Sequence, residues 1–169
     1  NLKLFSEAPR DVVDAVLEGG SKFAEEVLAP LNAVGDRQGC VRNSDASVKT
    51  PDGFPEAYKQ MSQDGWMSMS ADPQYGGQGM PKVVAMAFAE MCSSANMAFA
   101  MYPGLTRGAY EAIAQGASDE LKSIYLPKLA SGEWSGTMNL TEPQCGTDLG
   151  LIRTKAVPQD DGTYKISGQ

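Results

Sequence analysis

The sequence contains no histidine. That removes histidine general bases, Ser-His-Asp triads and histidine metal ligands together. Cysteine is scarce: Cys40, Cys92 and Cys145 are odd in number and far apart, with no zinc spacing and no disulfide framework. Reduced thiols of a cytosolic protein fit them best. No apolar run approaches the ~18 residues a membrane-spanning helix needs, and no signal-peptide pattern is visible. A basic surplus is missing too. The net charge is −7, which argues against nucleic acid or an anionic membrane as the main partner. What remains is ordinary for a globular chain: 169 residues, 42% hydrophobic and 21% charged. That is about one domain, and such a length buries roughly 70% of its unfolded surface. The chain starts at Asn1 and stops at Gln169 within strand-like sequence, so it is expected to be a piece of a longer protein.

Helical spacing governs the first four-fifths of the chain. Val12, Val16, Phe23 and Val27 draw one face of a helix over Asp11 to Leu28, weakened at Gly19-Gly20 and predicted to end at Pro30. Asn32 to Gly53 is polar and glycine-punctuated, a long loop with room for a short hairpin at 41–48. Phe54 to Asp64 reads as a helix closed by Gly65, and Trp66 to Pro81 as a loop. Gly77-Gln78-Gly79 lacks the preceding strand of a dinucleotide fingerprint, and Lys82 stands where that pattern needs glycine. Lys82 to Cys92 is helical through Val84, Phe88 and Met91. Ser93 to Met101 is apolar nearly all round and is predicted to be buried, with a break at Tyr102-Pro103-Gly104. Leu105 to Gln115 forms another helix, stopped by Gly116. Ser118 caps a last one, ended near Gly132.

At Trp134 the period changes from helical to two. Trp134, Met138 and Leu140 alternate with polar positions, which predicts a strand with one buried face. Leu151 to Val157 and Thr163 to Ser167 also alternate, joined through Asp161-Gly162, a strong hairpin turn. Between them, Thr141-Glu142-Pro143 leads into Gly146-Thr147-Asp148. Proline removes a backbone donor, and the glycine opens a tight turn with two threonine hydroxyls and several free N–H groups. Spacing alone leaves this as either an ordinary turn or an anion-binding one. Cys145 reads as a small filler in that turn.

The string Met138-Asn-Leu-Thr-Glu-Pro-Gln-Cys-Gly-Thr-Asp148 resembles the flavin-binding signature of the acyl-CoA dehydrogenases: Thr-Glu-Pro, two residues, Gly, Ser or Thr, Asp. Tyr75-Gly76-Gly77-Gln78-Gly79 is similar to the family's Tyr-Gly-Gly loop. Ser93 to Gly104 and Met138 to Gly150 resemble the long bacterial enzymes of the 3-methylmercaptopropionyl-CoA dehydrogenase-like branch. The resemblance covers the whole chain. It implies a mainly α fold: a helical bundle of the family's N-terminal type over 1–133, then the first strands of a β-barrel-like middle domain over 134–169.

The resemblance further implies FAD and α,β-desaturation of an acyl-CoA thioester, 3-methylmercaptopropionyl-CoA or a short- or medium-chain acyl-CoA. Electrons would pass to an electron-transfer flavoprotein, in a homo-oligomer (dimer or tetramer) of the bacterial cytoplasm. Carried over residue by residue, the Met138 and Leu140 backbone faces the isoalloxazine, and the Thr141 hydroxyl bonds its pyrimidine edge. Gly146 and Thr147 approach the diphosphate, with Thr147 also near the pantetheine arm of CoA. Two departures stand out: methionine at 138 where the family often has an aromatic, and threonine at 147 where it usually has serine. Phe99 and Tyr102, with Met97 and Met101, are candidates for the acyl pocket, plain bundle core being the alternative. No catalytic residue and no metal ligand is assigned. The family's base is a glutamate far downstream, Glu142 and Asp148 read as turn-fixing acceptors, and this stretch alone is expected to be inactive. The rival readings are an acyl-CoA oxidase of the same superfamily and a non-catalytic helical interaction module.

Overall fold

The computed structural model describes residues 8–168. The described chain is mainly helical, and it divides into two compact units, Asn1–Thr137 and Met138–Gln169.

The first unit opens on α1 (Arg10–Lys22), which passes through a widened π turn at Phe23–Leu28 directly into α2 (Ala29–Gln38). Pro30 therefore does not end the helix, contrary to the sequence reading. It occupies the first turn after the π segment, where a fixed φ is tolerated and the N–H is least missed. The hairpin expected near 41–48 forms as β1 (Val41–Arg42) against β2 (Val48–Lys49), antiparallel, but the loop around it begins only after Gln38. Helix α3 (Phe54–Gln63) follows, with Pro55 in its first turn.

The Tyr-Gly-Gly loop owes its two glycines to different causes. Gly76 holds φ 83°, a left-handed value that β-carbons resist. A β-carbon on Gly77 would sit 1.9 Å from the Ala71 carbonyl oxygen, so backbone passes against backbone there.

Helix α4 (Lys82–Ala95) and α5 (Met97–Gly116) are separated at Asn96, not at Tyr102-Pro103-Gly104. Asn96 is extended (φ −159°, ψ 89°), and its Oδ1 accepts the Phe99 N–H at 3.0 Å, an N-cap. Its Nδ2 donates to the Leu28 carbonyl at 3.2 Å. Pro103 instead lies buried inside α5. The expectation that Ser93 to Met101 is buried all round also fails. Phe99, Pro103, Thr106 and Tyr110 turn inward at helical spacing, whereas Met97, Met101 and Tyr102 are exposed. A high apolar count had concealed a one-sided helix.

Helix α6 (Asp119–Ser131) starts on its Ser118 cap and ends at Gly132 (φ 76°), as read from the sequence. Two clusters form the core. One gathers Phe23, Leu28, Met61, Val84, Phe88 and Phe99, with Trp66 stacked on Phe88 at 4.7 Å. The other gathers Ala71, Tyr110, Leu126, Leu129 and Ala130.

The strand predicted from Trp134 to Leu140 is absent, because a strand needs a neighbour to share hydrogen bonds and the helices take its donors instead. Trp134 donates its N–H to the Lys128 carbonyl (3.1 Å), and Gly136 donates to the Thr106 hydroxyl (3.2 Å). In the second unit, β3 (Lys155–Pro158) pairs antiparallel with β4 (Tyr164–Ser167). Their turn carries Gly162 at φ 81°, the Asp-Gly hairpin anticipated. Strand β3 starts later than predicted because Leu149–Leu151 coils into one 3₁₀ turn, set by the Asp148 carboxylate accepting the Gly150 N–H at 3.0 Å.

Two measurements check this fold. Asn96→Ala removes a cap and a buried donor, so urea unfolding should register a loss of about 2–4 kcal/mol. Gly77→Ala should destabilise more than Gly76→Ala, whose strain costs about 1 kcal/mol.

Candidate functional site

The second unit is organised by a tight turn. Glu142 and Cys145 exchange both backbone hydrogen bonds, N–H to carbonyl in each direction, at 2.9 and 3.0 Å. Pro143 occupies the position where its fixed φ suits a turn of this length. The turn folds the chain back on itself, so that a β-carbon on Gly146 would lie 3.5 Å from the Thr141 methyl. Thr141 and Gly146, five positions apart in sequence, are thus brought together.

Glu142 is buried, and its carboxylate ties the turn to the residues before β3. Oε1 accepts the Thr154 N–H at 2.9 Å, and Oε2 accepts the Arg153 N–H at 3.0 Å and the Gln144 side-chain amide. These bonds favour the charged form. The Thr154 hydroxyl first, then the Arg153 and Thr154 amides, hold the carboxyl down to about 2. A carboxylate so weakly basic and so fully engaged is no general base. It is a brace.

The groups left open by this brace are the informative ones. Among the described residues, Thr141 and Thr147 are exposed and make no side-chain hydrogen bond, and the Gly146, Thr147 and Asp148 amides have no acceptor. Consecutive free amides and two exposed hydroxyls are donors suited to an anionic or carbonyl-bearing ligand. Met138 (67% exposed) and Leu140 (46%) present their apolar side chains to the outside just before it. Met138, Leu140, Thr141, Gly146 and Thr147 therefore all lie within one short unit. Their free hydroxyls and amides are the donor types that a carbonyl edge and a diphosphate take up.

Phe99 and Tyr102 belong to the helical unit. Phe99 is 4% exposed in the core, its ring 5.9 Å from that of Phe54. Tyr102 meets Tyr58 edge-on at 5.2 Å. A cavity of ≈ 260 Å³ opens between α4, α5 and the turn at 66–71. Met97 and Met101 line it, but Phe99 and Tyr102 do not. Its wall includes Cys92, whose thiol burial pushes up to about 12 although nearby Arg107 opposes that shift. Sequence reasoning missed Trp66 and Arg107 on this wall. The available signal was that Arg107 is the one basic residue between Lys82 and Lys122. Among the described residues no His, Cys, Asp or Glu group could hold a metal, and no helix is long and apolar enough to cross a membrane.

The lowered pKa of Glu142 has a testable sign. Its bonds contribute fully above the ordinary carboxyl value of 4.5 and are lost as pH falls through about 2. The Arg153 and Thr154 amide shifts should therefore titrate near 2, and Glu142→Gln should abolish that titration. A midpoint near 4.5 would contradict the brace.

The acyl-CoA dehydrogenase N-terminal domain family matches residues 11–133. The 3-methylmercaptopropionyl-CoA dehydrogenase of Ruegeria pomeroyi is 48% identical over 167 residues, covering 99% of this chain and 28% of that protein. Butyryl-CoA dehydrogenase from Megasphaera elsdenii superposes with a TM-score of 0.78 at 24% identity, over 95% of this chain and 40% of the other. An acyl-CoA dehydrogenase from Bacillus anthracis, complexed with FAD, gives a TM-score of 0.75 at 24% identity, over 99% and 28% of the two chains. The chain thus spans well under half the length of each, and its helical unit carries the matched domain. The chain belongs to the acyl-CoA dehydrogenase family.

Proposed function

We propose that this chain is part of an FAD-dependent acyl-CoA dehydrogenase that desaturates the α,β-bond of an acyl-CoA thioester. The observation that carries this reading is the braced turn. A buried Glu142, charged at neutral pH, fixes a loop whose threonine hydroxyls and amides stay open, in a chain of this family.

FAD, when bound, supplies the hydride acceptor. The chain's own residues would hold it. The Thr141 hydroxyl would bond the polar edge of the ring system. The Gly146 and Thr147 amides would donate to diphosphate oxygens, and Gly146 would keep their approach free of a side chain. The Met138 and Leu140 backbone would line the ring, with the Met138 thioether packing where an aromatic would stack. For the substrate, Thr147 of the second unit would serve the pantetheine arm; within the helical unit, Tyr102 and Phe99 would serve the acyl chain. The base that removes the α-proton lies outside this sequence, since Glu142 is engaged by its neighbours.

The 48% identity to the Ruegeria enzyme supports 3-methylmercaptopropionyl-CoA, or a short- or medium-chain acyl-CoA, as substrate. The same reading places the whole protein in the bacterial cytoplasm as a dimer or tetramer that passes electrons to an electron-transfer flavoprotein. An acyl-CoA oxidase is the rival within the superfamily, and rapid reoxidation of the reduced enzyme by air would select it.

Flavin absorbance in the purified full-length protein tests the reading directly. A colourless protein that takes up no added FAD would instead favour a non-catalytic helical module. Thr141→Val should weaken FAD retention a few-fold, the worth of one neutral hydrogen bond at about 1 kcal/mol, or shift the flavin spectrum, without unfolding the protein. Unchanged affinity and spectrum would remove Thr141 from the site. The isolated 169-residue chain, supplied with FAD and acyl-CoA thioesters, should show no turnover above free flavin.

A further inference from the structure

The cavity of the helical unit has an imbalance that its apolar walls make significant. Trp66, Met67, Phe88, Met97 and Met101 give the lining its large apolar side chains. Arg107 of α5 lines it too, half-buried, and forms no hydrogen bond or ion pair with a described residue. The nearby acid on the same wall, Glu111, is already taken by Lys82 at 2.7 Å. The Thr106 hydroxyl receives the Gly136 N–H at 3.2 Å. The Trp66 indole nitrogen is buried without a partner among the described residues. The cavity thus holds a surplus of donors: a guanidinium with five N–H groups and no acceptor among the described residues, and an indole N–H on the same lining.

A half-buried guanidinium without a protein acceptor is partly desolvated, and a carboxylate taking two parallel hydrogen bonds matches its planar fork best. Four methionines, Met61, Met67, Met97 and Met101, line the remaining space with side chains that adapt to an aliphatic chain. We propose that this cavity binds the carboxylate end of a short aliphatic chain, with Arg107 as its anchor. The acyl consequence rests on the thioester reading above and narrows it: among short- and medium-chain acyl groups, those with a second carboxylate at the end remote from the thioester are favoured over 3-methylmercaptopropionyl.

The test uses the full-length protein and two independent arms. In the first, hexanoate and hexanamide are titrated while the Trp66 indole N–H is followed by NMR. Hexanoate should shift that resonance and bind about tenfold or more tightly than hexanamide, the range for hydrogen bonds to a charged group. Arg107→Met should erase the preference, and Arg107→Lys, which keeps charge but loses the fork, should retain only part of it. Equal binding of the two probes, or full hexanoate affinity in a folded Arg107→Met, overturns the proposal. If Arg107→Met does not fold, the probe pair and Arg107→Lys decide. In the second arm, adipoyl-CoA should outcompete hexanoyl-CoA in the wild type but not in the Arg107 variants. Thioesters that bind with no such preference overturn the acyl consequence. Failure of both thioesters to bind strikes the desaturase reading instead, while the hexanoate arm still judges the cavity.

Discussion

A single buried amide joins the irregular points of the helical unit. Asn96 is 1% exposed, and it both starts α5 and reaches the Leu28 carbonyl at the end of the π turn. The place where the first long helix widens is therefore the place where the next pair of helices breaks. Neither distortion has to be stable alone. The residues on either side, Leu28 at 0% and Phe99 at 4% exposure, close the first core cluster over that bond. An amide is suited to the role because it offers donor and acceptor at once, and neither a carboxylate nor a hydroxyl would satisfy both backbone groups equally well in a dry site.

The second unit uses charge where the first uses a neutral amide. Its hairpin is exposed along both strands, so little apolar burial is available to fix the approach of β3. The Glu142 carboxylate takes over that task by accepting two successive backbone amides. The difference follows from surroundings: hydrogen bonds to an ion are stronger than neutral ones and suit a small unit with scarcely any core.

Legibility in the sequence varied with the kind of signal. Helices α3 and α6 could be read because their ends are marked locally, by Pro55 and Gly65 in one case and by Ser118 and Gly132 in the other. The π turn could not, since nothing local distinguishes Phe23–Leu28 from regular helix, and Pro30 pointed the wrong way. The break at Asn96 was hidden by apolar neighbours that suggested continuity. Period two at Trp134 to Leu140 reported alternating surroundings correctly, but surroundings do not supply a pairing partner. The threonine turn was legible because its residues are contiguous and each has a local reason. The cavity was not, because α4, α5 and the turn at 66–71 contribute to it from separate parts of the chain.

A π turn holds one residue more than the regular helix around it, and so has the form of an insertion absorbed in place. Deleting one residue from Phe23–Leu28 would restore ordinary winding but rotate everything beyond it by about 100°. Leu31 would leave its seat over Gly53, and Gly35 would leave the Phe54 ring that lies against it. A lineage can therefore exchange residues along this helix one at a time, yet it cannot shorten this segment without recasting the whole face of α2.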